Sequence, residues 1–153
     1  MRPGAKLARA LGAGPLSGAA RLLAVTARHT DWLEANETRA HLELVMKAVF
    51  ETYPVLIAPA TPVAAFPHDR RPESRRSLRI SDGGKIAYKP MGGWLALASA
   101  CGLPATVVPA GLTAGGLPIG VQVIGPRGAD SRTLAVAQSI EEALGGFVSP
   151  PED

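Results

Sequence analysis

Eight serines, four lysines, three histidines and one cysteine are the side chains of this sequence best suited to nucleophilic, basic or metal-binding chemistry. Serine hydrolysis needs a serine beside a base and an oxyanion hole. The serines stand at 17, 74, 77, 81, 99, 131, 139 and 149, and none lies in a glycine-rich signature such as GxSxG. Cys101 sits in "LASACGLPA", among small and apolar neighbours. Apolar burial raises a thiol pKa, so a packed core cysteine is expected there and not a nucleophile. His29, His41 and His68 are far apart, and His68–Asp69 is the one close pair, which predicts no metal site. "SDGGKI" has Gly-Gly-Lys, but Arg79 and Ile86 stand where a phosphate-binding loop needs Gly and Ser or Thr. The residues alone therefore give no catalytic set, no metal, no cofactor and no assignable substrate-binding residue.

One basic segment remains. Residues 66–93 carry Arg70, Arg71, Arg75, Arg76, Arg79, Lys85 and Lys89 against Asp69, Glu73 and Asp82, while the whole chain is only +3. Nucleic acid is one partner for such a patch. Its aromatics, Phe66 and Tyr88, lie at opposite ends, so no stacking platform is expected. A solvated loop or a lid over a pocket fits better, and nucleic acid is not the expected partner.

The elements that must position these residues have a globular composition. Of 153 residues, 46% are hydrophobic and 19% charged, which excludes a disordered chain. That is one domain's length, enough to bury about two-thirds of the surface. Seventeen Gly and fourteen Pro predict many turns. One cysteine excludes an internal disulfide. No apolar run reaches the roughly 18 residues of a membrane span, so a cytoplasmic protein is expected. Residues 1–30 hold five Lys and Arg and no acid. A mitochondrial transit peptide has that look, although biased composition explains it more simply.

Glycines and prolines make residues 1–29 a loose segment by this reading. Thr30 or Asp31 can cap a helix that buries Leu42, Val45, Met46, Val49 and Tyr53 and stops at Pro54. "VLIA", 55–58, reads as a buried strand. Residues 66–93 show no period and read as irregular. "WLALASAC", 94–101, reads as a turn or two of buried helix stopped by Gly102 and Pro104. "ATVVPA" and "PIGVQVIG" read as strands of a well-buried sheet, antiparallel because Gly115–Gly116 turn the chain so shortly. Asp130 caps a last helix that buries Thr133, Val136, Ala137, Ile140 and Leu144 and ends at Gly145–Gly146; 150–153 are a tail. The strands are apolar on both faces, as in a sheet covered on both sides. Two helices and one short segment can hardly cover both faces and protect the strand edges.

"GLPATVVPAGLTAGGLPIGVQVIGP", 102–126, followed by "DSRTLAVAQSIEEAL", resembles the C-terminal region of the amidase signature family. "FETYPVLIAPATPVAAFPHD", "RISDGGKIAY" and "GGWLALASACGLPAT" extend the resemblance over about residues 30–147. Ala114 stands where the family often has a polar residue. The resemblance implies an α/β fold, namely the C-terminal portion (30–149) of a mixed sheet with flanking helices. It implies hydrolysis of amide C–N bonds by a lysine base, a relaying serine and a nucleophilic serine, with backbone N–H groups for the oxyanion. Those three belong to the family's N-terminal half. This sequence has no Gly-Gly-Ser run and no adjacent serines, and Lys6, Lys47, Lys85 and Lys89 match no catalytic context. The expectation is therefore the C-terminal part of an amidase, inactive alone, from a truncation, a split gene or a mis-called start. Its expected partner is a complementary N-terminal amidase half or a second copy of itself. The alternative is a non-catalytic assembly module, such as one component of a tRNA-dependent amidotransferase-like complex.

Overall fold

The computed structural model describes residues 27–149. The loose N-terminal segment, the transit-peptide alternative and the 150–153 tail fall almost wholly outside the described residues. The element order is helix α1 (His29–Thr52), strand β1 (Leu56–Pro59), a 3-10 turn (Glu73–Arg75), strands β2 (Ser77–Arg79) and β3 (Lys85–Ala87), a second 3-10 turn (Lys89–Gly92), helix α2 (Gly93–Cys101), strands β4 (Ala105–Leu112) and β5 (Pro118–Ile124), and helix α3 (Asp130–Leu144). The chain is thus α/β, with a three-stranded antiparallel sheet in the order β1-β5-β4 and a separate β2-β3 hairpin.

The helix ends show why the chain folds this way locally. Helix α1 starts one residue before the expected caps. Arg28 is the flanking residue, and Asp31, three positions on, accepts the Arg28 backbone N–H at 2.9 Å. Asp31 therefore acts as the acidic half of a capping box, not as the cap, and its charge suits the helix N-terminus. Asp130 is likewise the first residue of α3, and Ala129 precedes it as the flanking residue. The C-termini follow the sequence closely. Gly102 is left-handed (φ +58°), and the Leu103 N–H donates to the Ala98 carbonyl at 2.9 Å. Gly145 is left-handed too (φ +88°), and the Gly146 N–H reaches the Glu141 carbonyl at 2.9 Å. Both are Schellman stops, which need a residue without a Cβ clash.

In the sheet, β4 and β5 are joined by a turn in which Thr113 does more than the glycines alone. Its N–H donates to Leu117 O at 2.8 Å, and its hydroxyl accepts the Leu117 N–H at 3.1 Å. Gly116 supplies the positive φ of +77°. A bulge between Pro109 and Gly111 bends β4.

Residues opposite one another in an antiparallel register share a face. Ile57, Val123 and Thr106 lie on one face; Ala58, Gln122 and Val107 lie on the other. Helix α3 packs on the first face over β4 and β5. Val108, Val123 and Ala137 form its core, flanked by Val55, Val121, Val136 and Ile140. The hydroxyls of Thr106 and Thr133 meet at 3.0 Å, and Thr133 in turn donates to the Asp130 carbonyl at 2.8 Å. Gly125 allows this approach, because a Cβ there would lie 2.7 Å from Thr133 Cγ2.

On the second face, the fully buried Gln122 uses its amide nitrogen twice. It donates to Pro59 O at the end of β1 (2.9 Å) and to Trp94 O in α2 (3.0 Å). Each helix covers only part of its face. Ile57, at the β1 edge of the first face, is 55% exposed, and Val107, at the β4 edge of the second, is 57% exposed. The sheet is covered along one diagonal and bare along the other.

Several expected core positions are corrected by this arrangement. Val45 and Tyr53 of α1, Leu144 of α3, and Trp94 and Leu95 of α2 are exposed, whereas Met46, Ala98, Cys101, Thr133 and Ala137 are buried. The sequence pattern gives each helix an apolar face, but the partners present cover only part of it. Residues 66–93 are also more ordered than their lack of period implies, as they contain the hairpin and both 3-10 turns.

Three substitutions test this packing. Gly125→Ala should lower stability by about 1–3 kcal/mol, because backbone or α3 must shift to fit the methyl group. Gly93→Ala, with open space around its Cβ, should leave the denaturant midpoint unchanged or raise it. Gln122→Leu should cost about 1–3 kcal/mol by removing both hydrogen bonds that tie β1 and α2 to β5. The same denaturant titration reads all three.

Candidate functional site

The basic segment becomes a site through its turn. In "ISDGG", the Ile80 N–H donates to Gly84 O at 3.0 Å and the Gly83 N–H to Ile80 O at 3.0 Å. The Asp82 carboxylate accepts the Gly84 N–H at 2.8 Å, and Gly83 takes φ +83°. This closes the β2-β3 hairpin, with Leu78 opposite Ile86 and Leu78 buried. The Asp82–Gly83 pair is the local signal that could have marked this turn. The strands of three residues are too short to show alternation.

The hairpin brings the two ends of the segment together. Phe66 and Tyr88 meet edge to face with ring centroids 6.1 Å apart. The Arg76 guanidinium lies 5.3 Å from the Tyr88 ring centroid, and its Nε donates to the Arg71 carbonyl at 2.6 Å. The sequence had set these aromatics apart. The structure pairs them and puts a cation on one.

Two cavities border the pair. One, of ≈ 380 Å³, is walled by Val63, Ala64, Ala65 and Leu78, with Arg79 at its border. The other, of ≈ 470 Å³, is walled by His68, Arg70 and Arg76. Phe66, Tyr88 and Asp69 border both.

Asp69 is not free to bind a metal with His68. Arg71 grips both carboxylate oxygens, Nε to Oδ1 at 3.0 Å and Nη2 to Oδ2 at 2.7 Å, and its backbone N–H adds a third partner at 3.0 Å. These hydrogen bonds lower the Asp69 pKa from the usual 3.8 to about 2. Among the described residues no three His, Cys, Asp or Glu side chains gather as metal ligands.

The remaining sequence candidates are placed away from one another. His29 stacks on Trp32, with centroids 5.6 Å apart, and His41 is exposed on α1. Ser99 and Ser139 donate back to Leu95 O and Ala135 O of their own helices. Cys101 is buried, and burial pushes its thiol pKa up, with the Glu43 carboxylate adding to the rise. A further cleft of ≈ 650 Å³ passes beside it, lined by Leu44, Phe50, Leu103 and Arg127.

Arg127 is the residue that sequence reasoning missed. Its Nη2 donates to Cys101 O at 2.9 Å and to Glu43 at 3.1 Å, joining the C-terminus of α2 to α1. Glu43 also pairs with Arg39. The guanidinium lies over Gly102, where a Cβ would approach it to 3.1 Å. "GPRG" carries no signal for this, because all its partners are distant in sequence.

The family model Amidase matches residues 3–134. The chain belongs to the amidase family. A glutamyl-tRNA(Gln) amidotransferase subunit from Zymomonas mobilis is 32% identical over 121 residues, which are 79% of this chain and 22% of that relative. Human fatty-acid amide hydrolase 2 is 54% identical over a shorter stretch of 52 residues, 34% of this chain and 10% of that protein. A crystal structure of an amidase superposes with a TM-score of 0.69 at 25% identity, covering 85% of this chain and 29% of that one. This amidase-family chain therefore spans less than a third of each of these proteins, and it is like the family's C-terminal region. No helix among the described residues is long and apolar enough to cross a membrane.

The Asp69–Arg71 clamp predicts a pH dependence. A carboxyl with a lowered folded pKa contributes order that is complete above its ordinary value and is lost as pH falls through the folded one. The Asp69 carboxyl signal should therefore titrate at about 2 by NMR. Arg71→Gln should return the titration toward the ordinary carboxylate range.

Proposed function

We propose that this chain forms the C-terminal part of an amide-bond hydrolase. It works with a complementary amidase half that brings the lysine and the two serines. The observation that carries this reading is the diagonal gap in the sheet's cover, in a chain of this family. Ile57 and Val107 are apolar, half exposed and on strands that are the two edges of the sheet. Edges and apolar faces of this kind favour association. In the assembled enzyme, the chain completes the sheet, and the segment from 59 to 93 forms part of the substrate pocket wall. The compartment that suits it is the cytoplasm.

A second reading is supported by the similarity to a component of a glutamyl-tRNA(Gln) amidotransferase. In it, the chain is a non-catalytic component of an amidotransferase-like assembly, and the same bare quadrants take the neighbouring chain.

The purified chain should hydrolyse none of a panel of simple and aryl amides alone. It should co-elute with the N-terminal half of an amidase-family enzyme in size-exclusion chromatography, and Ile57→Lys or Val107→Lys should weaken that association. Turnover by the isolated chain that survives replacement of each serine in turn would sink the serine–lysine reading. A stable monomer that ignores the added half and has no affinity for tRNA counts against both readings.

A further inference from the structure

We infer that the hairpin segment is a binding site for a small amphipathic carboxylate, an anionic head on an aryl or alkyl body. The inference does not depend on the amidase reading, since it concerns binding by residues of this chain alone.

The two cavities beside the Phe66–Tyr88 pair differ in chemistry. The ≈ 380 Å³ chamber is floored by the buried Leu78 and walled by Val63, Ala64 and Ala65. Pockets of a few hundred Å³, mostly apolar with a few placed polar groups, are typical of small-ligand sites. The ≈ 470 Å³ chamber holds the cationic side chains Arg70 and Arg76 together with His68. Both open on the same two rings. A ligand long enough to pass the ring pair puts its body against alkyl and aromatic surface and its head against guanidinium groups.

The charges facing the site decide the sign of the head group. Asp69 borders both chambers, but Arg71 neutralises it through both oxygens. Arg79 borders the apolar chamber and adds a further cation. Arg76 is held in place by the Arg71 carbonyl and by the Tyr88 ring, and only its Nε is committed to the carbonyl. Its two terminal nitrogens suit a carboxylate, which guanidinium groups bind in a planar, two-pronged geometry. Arg70 is exposed beside it. A cationic ligand meets the guanidinium groups of Arg70 and Arg76, and a neutral one uses half of the site.

Calorimetric titration of the full chain with 4-phenylbutyrate, and with its neutral analogue 4-phenylbutyramide, tests this. The carboxylate should bind about tenfold more tightly at low salt, and the difference should shrink as salt screens the exposed cations. Arg70→Gln, which removes an exposed side chain, should reduce that preference. Arg76→Gln should reduce it further, while Arg76→Lys should keep part of it. Tyr88→Ala should weaken both ligands. In NMR, shifts should fall on Phe66, Leu78 and Tyr88. Equal binding of acid and amide, a preference unchanged in both glutamine variants, or no saturation by about 10 mM ligand, a Kd beyond the weak end of specific binding, would overturn the inference.

Discussion

The side-chain amide of Gln122, fully buried on the central strand, holds three elements at once. It sits on β5 and donates to the end of β1 and to the first turn of α2. A buried amide left unpaired costs more than its hydrogen bonds return, so the geometry around it is tightly specified. The bond to Trp94 O ties α2 to the sheet, and Arg127 links α2 to α1 through Cys101 O and Glu43. The apolar core beneath α3 is the counterpart on the opposite face, where the Thr106–Thr133 pair and the missing Cβ of Gly125 fix the helix against β4 and β5.

This one-helix-per-face arrangement also explains the bare surface. A single helix is narrower than three strands, so each face keeps an uncovered flank, and the two flanks lie on opposite sides of the sheet. The hydrophobic effect is non-directional and scales with area, so such flanks favour any apolar partner of matching shape. The family's relatives are several times longer than this chain.

Most of the secondary structure was legible because its signals are local. Pro54 stopping α1, Gly102 and Gly145 stopping α2 and α3, and the antiparallel β4-β5 pair all follow from backbone preferences within a few residues. The misses are also physical. Asp31 and Asp130 lie inside their helices because acids are welcome throughout the first turn, so they do not mark its boundary sharply. Tyr53, Leu144, Trp94 and Leu95 carry the apolar pattern of a core face, but burial needs a partner that no pattern names. The hairpin was hidden because three-residue strands are shorter than the window in which period two can be counted.

By itself, the sequence determined the family, the α/β class, the helix stops and the antiparallel pair. All of these depend on residue types or on spacings of a few positions. Only the tertiary structure decided that Phe66 meets Tyr88, that Arg76 lies on that ring, that Arg127 ties α2 to α1, and that the sheet is bare along one diagonal. These contacts join residues far apart along the chain. Which ones form depends on how helices and strands of fixed width fill space together, and local preference does not encode that.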